Sequence, residues 1–342
     1  QQLMRNQILF VFSNREAKVK SSVLNTIENF SQNNQHYNAR YIITQHADHL
    51  KEIVRDFSLK HGENGIIFVA GGDGSINEAT NVLVNLNSAT ALGALPFGTA
   101  NDFCKLHYSK FKLSNFLEAL PNLKIAPIDV LKLTGNLRLL GDGPDTIENP
   151  DLAMIDSIYV INVASIGLDT EILNSAFHYL NKYRWLKGSA YTLAVLKHFF
   201  SMKTQEYIYS IEGKNTIIDS LLAAFCNGGF YGNGFNPAPS CDLQDGKLNY
   251  LLAPNLSRFQ FAKLAVHYKN GTIETQQAKV KLGLVEKISV RAPEGKSFIG
   301  NVDGAIFSTD SFEINVVPRQ LSFAFVGDYS QKMITDPDSI IS

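Results

Sequence analysis

The chain of 342 residues lacks the features that mark several protein classes. Its three cysteines, Cys104, Cys226 and Cys241, are too scattered for a CxxC zinc motif and too few for a disulfide framework, which indicates a reducing cytosol. Its longest apolar runs, such as residues 8–12, are far shorter than the ~20 residues needed to cross a bilayer. We therefore expect a cytoplasmic protein without a transmembrane helix, whose contact with a membrane is peripheral.

An excess of charge of one sign is also absent. Lysine and arginine number 31 against 32 aspartates and glutamates, so the net charge is -1 and no basic field exists to attract nucleic acid. Hydrophobic residues at 45% and charged residues at 18% are close to the averages of globular proteins. At roughly 150 residues per domain, the length predicts two domains.

The pattern of strands and helices changes near residue 130. Before it, apolar runs alternate with the helical patterns 47–60 and 75–86, which is typical of parallel strands joined by helices; the predicted strands are 8–12, 40–44, 65–70, 91–96 and 125–130. After it, short strands are separated by Asp-Gly and Asn-Gly turns. We predict an open α/β nucleotide-binding domain over 1–130, a mainly β domain over 131–327 and a polar tail over 328–342.

One segment of the second half, residues 171–200, interleaves aromatic and basic side chains, among them Trp185 and Lys187. It can be helices that pack on the β domain with their lysines in solvent. It can also be an aromatic and basic surface that touches a membrane. The sequence leaves both interpretations open.

The segment with the strongest chemical signal is Gly71-Gly72-Asp73-Gly74-Ser75, which follows an apolar run and opens a helix. Glycines let a backbone approach phosphate closely, and the N–H groups at a helix start favour anions. An acid in such a turn suggests magnesium. The alternative is a plain tight turn in which Ser75 and Glu78 form a capping box, and we expect that box to be present in either case.

A second glycine turn, residues 95–103, follows the next predicted strand. Open α/β sheets bind ligands at the carboxyl ends of their strands, so the two turns should form one site. Neither GxxxxGK[ST] nor GxGxxG occurs in the chain, which counts against P-loop and dinucleotide-binding sites.

At these two turns the sequence resembles the diacylglycerol kinase catalytic-domain family, which includes bacterial soluble diacylglycerol and lipid kinases and is related to sphingosine and ceramide kinases. GGDGSINEATNVL resembles the family's GGDGT-x-NE-x-xNG-x segment, and LGALPFGTANDFCK resembles its P-x-GT-x-NDFA segment. NGGFYGNGFNPAPSCDLQDGKL is similar to a third family segment. The resemblance implies an α/β nucleotide-binding domain followed by a β-sandwich domain, with the active site in the cleft between them.

The resemblance also implies cofactors and site residues. It implies ATP and Mg²⁺ as cofactors, a lipid acceptor and a peripheral membrane surface as partners, and leaves open whether the chain forms a homodimer. The implied ATP-binding residues are Thr44, Gly71, Gly72, Asp73, Gly74, Ser75, Ile76, Asn77 and Thr99, with Ser13, Asn14, Glu78, Gly98 and Asp102 in the same cleft. A structural magnesium would be held by Asp245 and by groups at Asp242 and Lys247.

The chain departs from the family pattern at two places. The first loop reads Ser13-Asn14-Arg15 where the family usually has Asn-Pro followed by glycine. The family's catalytic Asp-Gly-Glu reads Asp303-Gly304-Ala305. An attacking hydroxyl needs a carboxylate to take its proton, so Asp303 is the candidate base, and its alternative is a plain Asp-Gly hairpin turn.

We therefore predict an ATP- and Mg²⁺-dependent lipid kinase with a diacylglycerol-like acceptor, in which Asp73 positions metal or phosphate and Asp303 takes the proton. Two alternatives remain. One is a catalytically weak module that binds lipid or nucleotide, suggested by Ala305. The other is a kinase of a soluble nucleotide or sugar phosphate that shares the GGDG turn.

Overall fold

The computed structural model describes residues 5–13, 19–140, 153–182 and 189–326 of the chain. These residues divide into two compact units. The first unit comprises the described residues of Gln1–Val130, Asp242–Gly246 and Val317–Ser342, and the second comprises those of Leu131–Cys241 and Lys247–Val316.

The first unit is a parallel sheet with helices. Its elements are β1 (Gln7–Phe12), α1 (Ser21–Asn33), β2 (Asn38–Ile43), α2 (His49–His61), β3 (Gly65–Gly71), α3 (Asp73–Asn85), β4 (Ala91–Pro96), α4 (Leu113–Glu118), the first part of β5 (Leu123–Leu140) and the last part of β15 (Ser311–Val326). The strand order is β2-β1-β3-β4-β15, and every pairing in it is parallel. All seven residues of β3 are buried, as is usual for a strand covered on both faces.

The helices of this unit follow the hydrophobic spacing. Helix α3 buries Ile76, Ala79 and Leu83, which recur at helical intervals. Helix α1, which the spacing did not reveal, buries only Ile27 and Phe30, so its apolar signal in the sequence is weak. The predicted capping box is wrong: α3 begins at Asp73 with Gly72 as its N-cap, so Ser75 lies inside the first turn and makes no cap.

The second unit is built mainly of antiparallel strands. Its elements are the last part of β5, β6 (Met154–Val160), β7 (Val163–Gly167), α5 (Leu168–Lys182), α6 (Ser189–Phe200), β8 (Gln205–Ile211), β9 (Lys214–Cys226), β10 (Leu248–Pro254), α7 (Arg258–Lys269), β11 (Lys281–Val285), β12 (Lys287–Arg291), β13 (Phe298–Val302), β14 (Ala305–Thr309) and the first part of β15. The strand order is β15-β12-β8-β9-β7-β13-β14-β5-β6, with β10 pairing β9 and β11. The strands surround one apolar core that includes Tyr209, Phe225 and Phe307.

Helices α5 and α6 occupy the aromatic and basic segment noted in the sequence. They pack against each other, and α5 also packs on β7, β9 and β13. Trp185 and Lys187 lie outside the described residues, as does the predicted polar tail 328–342.

The unit boundaries differ in two places from the sequence-based division, which put all of 131–327 in the second domain. Asp242–Gly246 belongs to the first unit because the N–H of Asp129 donates to the carbonyl of Leu243 at 2.7 Å. The end of β15 belongs there too, because Phe323 pairs in parallel with Leu92 of β4. Both contacts join residues more than a hundred positions apart, which composition cannot reveal.

Candidate functional site

The candidate site of the first unit is formed where four neighbouring parallel strands end. Ser13 follows β1, and its N–H donates to the carbonyl of Ala70 at 3.0 Å. Thr44 follows β2, is buried, and its N–H donates to the carbonyl of Phe12 at 2.9 Å. The two glycine turns follow β3 and β4, whose last residues, Gly71 and Pro96, are paired. The register therefore brings all four loops to the same edge of the sheet.

The first glycine turn leads directly into helix α3. A Cβ at Gly71 would lie 3.0 Å from Ser75 Oγ and 3.1 Å from Ser13 Cβ, so a larger residue does not fit without movement. A Cβ at Gly74 would meet nothing within 4 Å. The N-cap residue Gly72 makes no side-chain cap. No side chain therefore caps the helix start, and the helix dipole favours an anion there.

The second glycine turn lies against the first. A Cβ at Gly98 would be 2.3 Å from Gly72 Cα and 2.6 Å from Gly72 N, so the two backbones touch and only glycine fits. Asn101, which has a φ of 54°, closes the turn by accepting the Gly98 N–H at 2.8 Å and donating to the Gly98 carbonyl at 2.7 Å. The structure therefore confirms that the two turns are neighbours.

Asp73 joins the two turns through its side chain. Its carboxylate accepts the backbone N–H of Asp102 at 3.0 Å and that of Phe103 at 2.8 Å. Burial raises the pKa of Asp73, the Asp102 carboxylate raises it further, and the two N–H donors and Lys105 oppose this. Lys105 Nζ lies 2.5 Å from Asp102 Oδ1. Asp73 is thus the first residue of a helix and a link between loops, in addition to any contact with a ligand.

The structure brings together most of the predicted nucleotide-site residues. Those that it places at the carboxyl edge of the first unit's sheet, or in the first turns of α3, are Ser13, Thr44, Gly71, Gly72, Asp73, Gly74, Ser75, Ile76, Asn77, Glu78, Gly98, Thr99 and Asp102. Ile76 differs from the other residues of this set because its apolar side chain is fully buried in the core. Asn14 lies outside the described residues.

A second cluster of the first unit is acidic. Asp129 of β5 is fully buried, and its carboxylate accepts the N–H of Gly246 at 2.7 Å and of Arg319 at 2.8 Å. Burial raises the pKa of Asp129, and the nearby carboxylates of Asp245 and Asp242 raise it further. Carboxylate oxygens are the ligands that a hard divalent cation prefers. The sequence indicated Asp242 and Asp245 but missed Asp129.

Lys247, the third residue predicted at the metal, falls in the second unit rather than the first. The group that Lys247 offers to a cation is its backbone carbonyl, directly after Gly246. Its ammonium group carries a positive charge and does not bind a cation.

Asp303 lies in the second unit, in the turn between β13 and β14. The φ values of Asp303 and Gly304 are 49° and 93°, which are those of a tight two-residue hairpin, so the hairpin interpretation is correct for the backbone. The buried carboxylate of Asp303 accepts three N–H groups, from Ile161 at 3.0 Å, Asn162 at 3.2 Å and Val163 at 2.9 Å. It therefore holds the bend between β6 and β7.

The bend at Asn162 in turn holds a third segment. The carbonyl of Asn162 accepts the N–H groups of Asn227 and Gly228, each at 2.9 Å, and its side-chain amide donates to the Phe230 carbonyl at 2.7 Å. Asp303 is thus connected through Asn162 to the glycine-rich residues 227–232. Ala305, where the family has glutamate, is exposed on the same hairpin.

Asp169, at the start of α5, was not singled out from the sequence. Burial raises its pKa to about 6, although the Ser165 and Tyr231 hydroxyls and the Thr170 N–H oppose the rise. Tyr231 also contacts Tyr268, with 2.6 Å between their hydroxyl oxygens. The only signal in the sequence is an acid within the run ASIGLDTEI, a motif without local chemical meaning.

The fold and the site define a class of protein: an α/β unit with two adjoining glycine turns at its strand ends, combined with a β-rich unit. Among the described helices, none combines the length and the apolar character needed to cross a bilayer.

Comparison with known proteins agrees with this class. Residues 8–133 match the diacylglycerol kinase catalytic domain, and residues 162–325 match the YegS C-terminal NAD kinase beta sandwich-like domain. The chain belongs to the diacylglycerol kinase catalytic-domain family, so both the resemblance stated from the sequence and the predicted fold class are confirmed.

Individual relatives are distant in sequence but similar over most of their length. A YegS-like lipid kinase of Shewanella frigidimarina is 24% identical over 279 residues, 76% of each chain. A diacylglycerol kinase of Bacillus subtilis is 26% identical over 241 residues, 67% of this chain and 70% of the relative. The crystal structure of a Bacillus anthracis diacylglycerol kinase superposes with a TM-score of 0.66 at 14% identity, covering 95% of this chain and 98% of that one.

Proposed function

We propose that the protein transfers the γ-phosphoryl group of ATP to the hydroxyl of a diacylglycerol-like lipid, with Mg²⁺, and that it works from the cytoplasm at a membrane surface. The observation that carries this proposal is the contact between the two glycine turns, where Gly98 lies against Gly72. This contact adjoins the start of α3, which no side chain caps. The names of the relatives, lipid kinase and diacylglycerol kinase, support the class of acceptor.

In this proposal the residues of the first unit bind and orient the nucleotide. The N–H groups at the start of α3 and of the glycine turns donate to phosphate oxygens, and Thr44 and Thr99 supply hydroxyls at the ends of β2 and β4. Asp73 keeps the two turns in register through its bonds to Asp102 and Phe103. Mg²⁺ bound with ATP would neutralise charge that develops on the phosphates during transfer.

A second Mg²⁺ is proposed at the acidic cluster of Asp129, Asp242 and Asp245. Its role is structural, because the Asp129 carboxylate accepts the N–H groups of Gly246 and Arg319 and so joins these two segments of the first unit. Neutralising the three carboxylates would stabilise that arrangement.

The attacking hydroxyl must give up its proton during transfer. Asp303 is the proposed acceptor, and the same carboxylate accepts the three N–H groups of the β6–β7 bend. Measuring both the stability and the turnover of an Asp303 variant distinguishes the two roles. Loss of the bonds to the bend lowers stability, whereas loss of a base alone lowers only turnover.

The proposal is tested by incubating the protein with γ-labelled ATP, Mg²⁺ and dispersed diacylglycerol, then extracting the mixture into organic solvent. Label in the organic phase, identified by mass as the phosphorylated lipid, is the expected result. Label that stays in an aqueous product formed from an added nucleotide or sugar phosphate would favour the soluble-substrate alternative. No transfer to any lipid in a total extract would refute the lipid kinase proposal.

Gly74→Ala tests the phosphate cradle separately from folding. The added Cβ meets no protein atom, and alanine favours helix by ~1 kcal/mol over glycine, so the unfolding midpoint should stay equal or rise. The methyl group would occupy space beside the helix start, so the KM for ATP should increase. Asn85→Ala, at the exposed far end of α3, is the matched control and should leave the KM unchanged.

The second candidate function is a catalytically weak module that binds nucleotide or lipid. It is favoured by Ala305, because the exposed hairpin position of the family glutamate carries no acid here. Calorimetric titration with ATP beside the transfer assay distinguishes the two. Tight ATP binding without transfer would favour the binding module.

A further inference from the structure

Two neighbouring helix ends of the second unit expose large aromatic side chains. Phe200, the last residue of α6, is 66% exposed, and Phe259, the second residue of α7, is 79% exposed. The ends adjoin, since Arg258 Nη2 donates to the carbonyl of Phe200, and the rings of Phe199 and Phe261 lie 6.5 Å apart. We call the exposed residues of these two ends the Phe200–Phe259 surface.

Helix α7 exposes apolar side chains among its polar ones. Leu264 and Tyr268 are buried, while Phe259 and, two turns further along the same helix, Val266 at 58% exposure face solvent. Arg258 and Lys263 are exposed on the same helix. Single exposed apolar residues are ordinary, but adjacent exposed phenylalanines on two helices mark an interaction surface.

The charge of this region is mainly basic. Residues 189–203 and 256–270 contain no aspartate or glutamate, and their lysines and arginine are Lys197, Lys203, Arg258, Lys263 and Lys269. Glu171 of α5 offsets part of this charge, because it interacts with Lys197 and Lys203. The chain as a whole has a net charge of -1, so the excess of positive charge is local. Exposed aromatic rings near lysine and arginine side chains fit a bilayer whose surface carries anionic headgroups.

We propose that the Phe200–Phe259 surface docks on a lipid bilayer that contains anionic lipid, with the two phenylalanines inserted among the headgroups. This inference rests on the proposed function to the extent that a lipid kinase must reach an acceptor that resides in a bilayer. A second copy of the chain fits less well, because a symmetric contact would bring the same basic residues against each other. The acids near the surface have partners: Asp219 accepts hydrogen bonds from Thr204 and Asn255, and Glu171 lies 3.4 Å from His198 Nδ1.

The test is co-sedimentation with vesicles, without ATP. Wild-type protein should bind vesicles of equal parts phosphatidylcholine and phosphatidylglycerol more tightly than vesicles of phosphatidylcholine alone, and added salt should reduce the difference. Phe200→Ser combined with Phe259→Ser should lower the partition into mixed vesicles by about tenfold or more. Lys263→Glu should remove much of the preference for anionic lipid.

The matched control is Leu59→Ser, because Leu59 of α2 is 70% exposed and lies in the first unit. This variant should bind vesicles like the wild type. Equal binding by the wild type and the Phe200/Phe259 variant would overturn the proposal. A second result would also overturn the proposal: a molecular mass, measured by light scattering, that rises with protein concentration in the wild type but not in Phe259→Ser. The surface would then join two copies of the chain.

The outcomes for the surface and for the proposed function are distinguishable. Transfer of phosphate to a short-chain diacylglycerol dispersed in water should be unaffected by the Phe200/Phe259 variant. Kinase activity without vesicle binding overturns only the docking surface. Vesicle binding that depends on the two phenylalanines, in a protein without kinase activity, overturns only the proposed function.

Discussion

Replacing Asp303 by asparagine should lower the stability of the second unit together with any activity. The carboxylate is buried and accepts three backbone N–H groups, Oδ2 from Ile161 and Oδ1 from Asn162 and Val163. Asparagine has the same shape but only one oxygen, and its NH₂ group must face at least one of these donors. The substitution therefore leaves a buried N–H without an acceptor.

The magnitude follows from these bonds. In the best orientation the amide oxygen replaces Oδ1 and keeps two bonds, and the Ile161 N–H loses its acceptor, which costs ~1–3 kcal/mol. The two bonds that remain lose the carboxylate charge, which roughly halves each of them, or ~1 kcal/mol apiece. The total is about 3–5 kcal/mol. For a unit of this size that corresponds to a fall of roughly 6–20 °C in the unfolding midpoint.

The assay is thermal unfolding followed by circular dichroism, with turnover measured well below the lowered midpoint. Asp303→Ala should be less stable than Asp303→Asn, because it loses all three acceptor bonds. Asp310→Asn is the control, since Asp310 is exposed and its loss should change stability by less than ~0.5 kcal/mol. An Asp303→Asn midpoint equal to that of the wild type would refute the reasoning about the bend. A loss of turnover of about 10²- to 10⁴-fold at an unchanged midpoint would assign Asp303 the role of a base alone.

Three other substitutions test separate parts of the structure. Gly98→Ala places a Cβ 2.3 Å from Gly72 Cα, so it should lower the unfolding midpoint and raise the KM for ATP. Asp169→Asn removes a carboxyl whose pKa is raised from 3.8 to about 6, so its proton stabilises the folded protein at low pH and this stabilisation is lost as pH rises to about 6. The unfolding free energy of Asp169→Asn should therefore gain about 2 kcal/mol relative to the wild type between pH 4 and 7. Ala305→Glu should change turnover little if Asp303 is the base, and should accelerate it if the acid absent at position 305 is the natural acceptor.

Each of these has a result that would count against it. An unchanged KM for Gly98→Ala would mean that the second turn does not contribute to the nucleotide site. Parallel pH-stability curves for Asp169→Asn and the wild type would show that the Asp169 carboxyl does not titrate near pH 6. A large acceleration by Ala305→Glu would move the base from Asp303 to position 305.

Local features of the sequence predicted much of the fold. The apolar run of residues 65–70 predicted a strand, and β3 is a strand in which all seven residues are buried. Glycines directly after two such runs predicted paired turns, because parallel strands end at a common edge. These inferences succeed because they depend on neighbours in the chain.

The elements that the sequence analysis missed or misplaced depend on distant partners. The end of α3 was predicted within one residue, but its start was misjudged because Ser75 and Glu78 match a capping box, whereas the helix begins at Asp73. In the sequence, Asp129 is a single acid within an apolar strand. Only the folded chain places it near Asp242 and Asp245. Local pattern does not encode which distant group a side chain will meet.

The division between sequence and tertiary structure is clearest at the two catalytic candidates. Motifs alone selected Asp73 and Asp303 and the chemistry expected of each. Only the tertiary structure revealed that Asp73 accepts N–H groups from Asp102 and Phe103, and that Asp303 accepts N–H groups from residues about 140 positions earlier. A buried carboxylate must find donors wherever the fold supplies them, because leaving it unpaired in a low-dielectric interior costs several kcal/mol. The sequence therefore determines that these acids are present in their turns, and the fold decides what each of them holds.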